Sequence, residues 1–222
     1  MTFTERLTAA TSAERGRLQS APAIQAALGG RANRALYLAF LGQAYHHVRH
    51  TTPLLMALGS RLPERLSWLL HPVAEYIEEE IGHEQWILDD IAAAGGDREA
   101  AQRAAPALAT EVMVAYAYDQ VARRNPVGFF GMVHVLEGTS VALALHAADR
   151  LQADLGLPDG AFTYLRSHGT LDQSHTRHLA SLLERMSPED QEEVLHAARA
   201  YYHLYGDVFR ALPVTDKETS WN

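Results

Sequence analysis

The sequence predicts an all-α, single domain of about seven helices. Three observations carry that prediction. Apolar residues recur at i, i+3, i+4 and i+7 along almost the whole chain, and the alternation of a half-buried strand is absent. Gly and Pro clusters fall between the periodic stretches. The 222 residues, 47% hydrophobic and 21% charged, suffice for one full core and have the balance of a globular protein.

The elements follow in order. A helical lead segment runs over 1–30 and stops at Gly29-Gly30. A helix spans about Asn33 to His50, closed by Thr51-Thr52-Pro53. A long helix starts near Pro63, runs through EYIEEEIGHEQWILDDIAAA and ends at Gly95-Gly96. A shorter one extends from about Pro106 to Asn125-Pro126, and another from about Val127 to Leu155, before a Gly-Leu-Pro-Asp-Gly turn. The next covers about Ala161 to Met186. Ser187 followed by Pro188 reads as an N-cap with proline in the first turn, opening a last helix to about Leu212. The residues 214–222 form a polar tail of the one domain, 1–222.

Composition narrows the function. Lys+Arg 19 against Asp+Glu 27 leaves a net charge of −8, so no basic field exists to hold nucleic acid. With Cys 0, disulfides, thiolate metal sites, iron–sulfur clusters and cysteine nucleophiles are all removed. No G-x-S-x-G, G-x-G-x-x-G or Walker loop occurs. The N-terminal MTFTERLTAATSAERGR lacks a signal-peptide core, and no uncharged apolar run reaches the roughly 18–20 residues that cross a bilayer. A cytoplasmic protein without a membrane partner is expected.

Ionisable residues interrupt the apolar stripes of three helices. After Ala161, the stripe Tyr164, Leu165, Leu171, Leu179, Leu182, Leu183 and Met186 contains His168, Asp172 and His175, at i, i+4, i+7. Glu137 lies among Phe130, Val133, Val141, Ala144, Ala148 and Leu151. After Pro63, Glu80 and His83 share a face with Leu69, Val73, Tyr76, Ile87 and Ile91. Such groups are costly in a core unless compensated, and a metal ion compensates them directly. An acid-x-x-His pair on one helix face is an arrangement of carboxylate-bridged di-iron sites, and oxygen and nitrogen donors suit iron or manganese. Glu75, Glu78 and Glu79 fall toward solvent, whereas Glu84 competes with Glu80, as a ligand or as support for one.

Weaker features accompany these. Tyr45, His46, His47 and His50 cluster before Pro53, as substrate-facing groups or a partly exposed helix end. His134, one turn before Glu137, either supports it or is a core histidine. His71, His146, His178, His196 and His203 fall on the surface.

EEEIGHEQWILDD, VLEGTSVALA and YLRSHGTLDQSHTRHL resemble the heme-oxygenase-like di-iron oxidases and oxygenases. These share a seven-helix fold with heme oxygenases, thiaminase II (TenA) type proteins and pyrroloquinoline quinone synthases. The resemblance runs from about Tyr37 to Met186, and H-x3-D-x2-H is its most specific part. It implies that His83, Glu137, His168, Asp172 and His175 are metal ligands. The sixth ligand is then an upstream Glu. Glu80 matches the E-x-x-H branch, while the branch with Glu seven residues before the His meets Tyr76 here. Glu80 is chosen over Glu79 and Glu84 because it lies on the apolar stripe. The resemblance further implies two Fe(II) per chain, with manganese as the other metal to test, and O2 as co-substrate. It implies a small-molecule substrate (an amino acid, a derivative or a fatty acid), oxidised by N-oxygenation, C–C cleavage or decarboxylation, and it is compatible with a homodimer. A thiaminase-type activity needs the cysteine this chain lacks. The rival expectation is a non-catalytic protein binding heme or a small ligand.

Overall fold

The computed structural model describes residues 1–214, and among these every regular element is helical. Apart from Val214, the tail expected over 214–222 lies outside the described residues. Three short helices form the lead segment: α1 Phe3–Ala10, α2 Ser12–Gln19 and α3 Pro22–Leu28. Then come α4 Arg34–Val48, α5 Thr51–Arg61, a 3₁₀ turn Glu64–Leu69, α6 Leu70–Glu80, α7 His83–Ala93, α8 Arg98–Arg103 and α9 Leu108–Arg123. A 3₁₀ turn Pro126–Gly128 leads into α10 Phe129–Leu155, and a second, Asp159–Ala161, into α11 Thr163–Glu184, followed by α12 Pro188–Arg210.

Among the described residues twelve α-helices replace the expected seven, for local reasons. Thr51-Thr52-Pro53 opens α5 rather than closing α4, because proline in a first turn lacks only an N–H that has no helical partner there. The helix expected from Pro63 to Gly95 is three elements, broken at Ile81-Gly82. Gly82 takes φ 91°, a left-handed conformation that glycine enters without a Cβ penalty. Ser187 does cap α12, its Oγ accepting the Asp190 N–H at 3.2 Å.

The long helices α10 and α11 lie along one another, and α12 crosses α10. At that crossing a Cβ on Gly131 would stand 2.7 Å from the Val194 carbonyl oxygen, so only glycine permits the approach. By length and apolarity alone Pro126–Leu155 could span a bilayer, but 61% of its most apolar stretch is buried in the fold, as suits a central core helix. Val141 and Leu171, expected in the core, are 38% and 39% exposed. The α10–α11 contact is narrower than the sequence stripes and leaves their flanks to solvent. Two apolar clusters result, one around Phe129, Val133, Leu179 and Tyr201, the other around Tyr37, Leu41, Ile87 and Phe162.

Candidate metal centre

All six candidate residues converge where α6, α7, α10 and α11 meet, in two groups of three. Glu80, His83 and His168 form one, and Glu137, Asp172 and His175 the other; within each, one donor atom per residue lies within 4.8 Å of the others. Four of the six side chains are almost wholly buried: Glu80 5%, His83 3%, Glu137 5% and Asp172 1% exposed.

Glu80 and His83 meet differently from the expected helix face. Glu80 is the last residue of α6 and His83 the first of α7, and the Gly82 kink between them brings His83 Nδ1 to 3.2 Å from Glu80 Oε2. Trp86 stacks on the His83 ring with centroids 4.0 Å apart. Glu84 lies on the outer side of α7, where Gln85 Nε2 donates to it at 3.2 Å. It joins neither group.

On α11, His168 directs Nδ1 to Asp172 Oδ1 at 3.3 Å. His175 Nδ1 lies 3.4 Å from Glu137 Oε1 and 3.7 Å from Asp172 Oδ1. Asp172 thus touches a histidine of each group. Glu79, expected to face solvent, is 57% exposed yet reaches back to His175 Nε2 at 3.0 Å. The Tyr76 hydroxyl donates to Glu137 Oε1.

Charge is balanced only in part by these contacts. Burial pushes the Glu137 carboxyl up to about 7, and the neighbouring Asp172 adds to the rise. The Glu137 carboxylate in turn pushes His175 up to about 9. Burial opposes both the raised pKa of His168 and the lowered pKa of Glu80, and their partners Asp172 and His83 outweigh it. Even so, His168 Nε2 and Glu137 Oε2 are buried without a partner, and His83 Nδ1 and His175 Nδ1 have only their ion-pair contacts with Glu80 and Glu137. Unpaired buried donors and acceptors are rare because each costs about 1–3 kcal/mol. The donor atoms of the two groups, which offer only nitrogen and oxygen, fit divalent cations of the iron or manganese type.

Three features escaped the sequence reading. Asp90 on α7 is fully buried, and its two oxygens accept the backbone N–H groups of Thr163 and Tyr164 at 2.9 and 2.8 Å. It therefore caps α11, whose own N-cap, Phe162, makes no side-chain hydrogen bond. Nothing in the run LDD marks Asp90 for this, since the partner lies more than seventy residues away. The Glu79–His175 and Tyr76–Glu137 contacts equally depend on helices distant in sequence. His134 supports nothing at Glu137; it packs edge-on to Tyr202 with centroids 6.3 Å apart. His71, His146, His178, His196 and His203 are exposed, as expected.

Two cavities adjoin the centre on the α4 side. One, of about 570 Å³ including its mouth, is lined by Glu80, Glu137, His168 and Asp172 together with His47 and Ser140. The other, about 760 Å³ including its mouth, is apolar and runs between α3, α4, α10 and α12 to His168. A broader acidic groove with Glu75, Glu78 and Glu79 opens on the His175 side, and Tyr76, Phe130 and Leu179 line it.

The family described as iron-containing redox enzyme matches residues 38–206. No curated protein matches. Among solved structures, the chain is similar to a domain of unknown function with a heme oxygenase-like fold from Shewanella denitrificans, at 25% identity, TM-score 0.84, covering 96% of this chain and 92% of that one. It is also similar to a TenA homolog from Pseudomonas syringae pv. tomato (11% identity, TM-score 0.77, 95% and 91% covered). A heme oxygenase-1 from the cyanobacterium Synechocystis, in complex with heme, matches at 12% identity and TM-score 0.72, with 96% and 92% covered. The last two likenesses are of fold alone, and together the three establish a heme-oxygenase-like fold.

Proposed function

The chain belongs to the iron-containing redox enzyme family, and from that premise we propose that it is a non-heme di-iron, O2-dependent oxidase or oxygenase of a small metabolite. The observation that carries this reading is the convergence of six carboxylate and imidazole side chains into two three-residue groups, in which His168 Nε2 and Glu137 Oε2 are buried without a partner. In this reading Glu80, His83 and His168 hold one ion, and Glu137, Asp172 and His175 the other. When bound, two ferrous ions supply the electrons and open positions that dioxygen activation requires.

The chain's own residues do the rest. Asp172, against both His168 and His175, holds the two groups at a fixed separation. Glu79, 3.0 Å from His175 Nε2, orients the ring so that Nδ1 faces Glu137 and Asp172. Tyr76 occupies one lone pair of Glu137 Oε1 and leaves Oε2 free. Phe129, Met132, Val133 and Leu136 line the inner cavity and exclude water from the substrate's side.

The test is anaerobic Fe(II) loading followed by an O2 pulse, on wild type and His175→Ala. The expected result is about two irons per wild-type chain, as in carboxylate-rich helical di-iron sites. The variant should hold no more than one and take up no oxygen. A protein that holds neither iron nor manganese, yet gives an intense Soret band with hemin that survives Glu137→Ala, is a heme-binding protein instead.

A further inference from the structure

The apolar cavity and the inner cavity meet at Ser140, Tyr164, His168 and Tyr205, which line both. The outer part is walled by residues such as Ile24, Leu36, Phe40, Leu143 and Phe209. No Arg, Lys, Asp or Glu among the described residues lines it, and no Arg or Lys lines the inner cavity. Two buried polar atoms have no hydrogen-bond partner here, one on Ser140 at the junction and one on His47 farther into the inner cavity. His47, 3% exposed on α4, has an unbonded Nδ1, and the buried Ser140 Oγ on α10 has none either. Neither belongs to the groups of candidate ligands. The sequence places His47 beside His46 and His50, but His50 turns outward to the Tyr118 hydroxyl at 3.0 Å. Only His47 of the three lines the inner cavity.

A free amino acid brings an ammonium and a carboxylate; the outer cavity offers no charged side chain to either, no cation lines the inner one to meet the carboxylate, and its own carboxylates, Glu80, Glu137 and Asp172, are the candidate ligands. An apolar chain or ring with one oxygen-bearing head matches both halves: methylene or aryl surface against the wall, and one polar group for two orphaned hydrogen-bonding atoms. We infer that the cleft between α3, α4, α10 and α12 binds the apolar body of a single-headed substrate, and that His47 and Ser140 hold its head beside His168. As a statement about the substrate this rests on the oxygenase reading; as a binding site it does not.

The experiment is calorimetric binding of decanol, decanoate, lysine and phenylalanine to the purified full-length chain, with and without Fe(II). Decanol or decanoate should bind and the two amino acids should not; the two long-chain probes separate a neutral from an anionic head. Ala147→Trp and Ala27→Trp fill the cleft from two different helices at half-buried positions, and both should abolish binding while thermal unfolding stays cooperative. Ser140→Ala and His47→Phe should each weaken binding about tenfold, as expected for one lost hydrogen bond in a dry site, with His47→Asn restoring part of it. Saturable binding of lysine or phenylalanine in place of the long-chain probes overturns the inference. So does long-chain binding that both tryptophan variants leave unchanged, and unaltered affinity in Ser140→Ala and His47→Phe overturns the assignment of the head. If decanol binds but iron and oxygen uptake fail, the cleft stands and the oxygenase reading falls; the reverse result removes the cleft alone.

Discussion

Asp90 accepts the backbone N–H of Tyr164 at 2.8 Å, so a carboxylate of α7 closes the open end of α11. These are the helices that carry His83 and the His168–Asp172–His175 series. The contact fixes the helix of His83 against the helix of His168, its partner in one group, without involving any candidate ligand. Asp90→Ala should cost about 2 kcal/mol, the loss of a buried helix cap, in urea unfolding. It should also lower Fe(II) affinity although Asp90 touches no candidate ligand. Asp90→Asn, which keeps one acceptor, should cost roughly half as much.

Gly82 has open space where a Cβ would stand, so its substitution tests conformation alone. Gly82→Ala must hold φ 91°, at about 1 kcal/mol, or let α6 and α7 realign. Either response alters the Glu80–His83 approach. Chemical denaturation with metal analysis should report modest destabilisation together with a larger loss at the Glu80, His83 and His168 group than at the other.

Glu79→Gln and Tyr76→Phe remove partners of candidate ligands while leaving the ligands themselves. Loss of such supporting groups typically weakens a metal site about 10- to 100-fold. The exposed Glu79 should fall at the low end of that range and Tyr76, half-buried against Glu137, above it. Titration with Co(II), followed by its visible absorption, distinguishes these from an unchanged site.

Asp190 gives a pH dependence with a definite sign. The Arg65 guanidinium grips it at 2.5 and 2.8 Å, Asn125 and Ser187 add hydrogen bonds at 2.8 Å, and its carboxyl is held down to about 2. The folded pKa lies below the ordinary Asp value, so this contribution is complete above about pH 4 and is lost as pH falls toward 2. Because half of Arg65 faces solvent, about 2 kcal/mol is the expected scale. Asp190→Asn should destabilise the protein at pH 7 and flatten that acid limb in unfolding measurements between pH 5 and 2.

The sequence by itself determined the helical class and the six residues that converge. An ionisable side chain on a 3.6-residue apolar stripe is visible without a structure, since its burial follows from the stripe, and Glu137 and Asp172 are 5% and 1% exposed as that reasoning requires. It also determined the start of α12, because Ser187 and Asp190 act on each other within one turn. Only the tertiary structure decided how the six divide. Glu80 and His83 meet across a kink set by one glycine's φ. Their third partner, His168, comes from a helix some eighty residues on, and Asp90, Glu79 and Tyr76 act on groups of other helices. His47 stands out from His46 and His50 only because of what α10 and α12 place opposite it. Periodicity records which face of a helix is buried and carries nothing about which other face it meets. Interhelical pairings, and the cavities left between helices, arise from packing the whole chain.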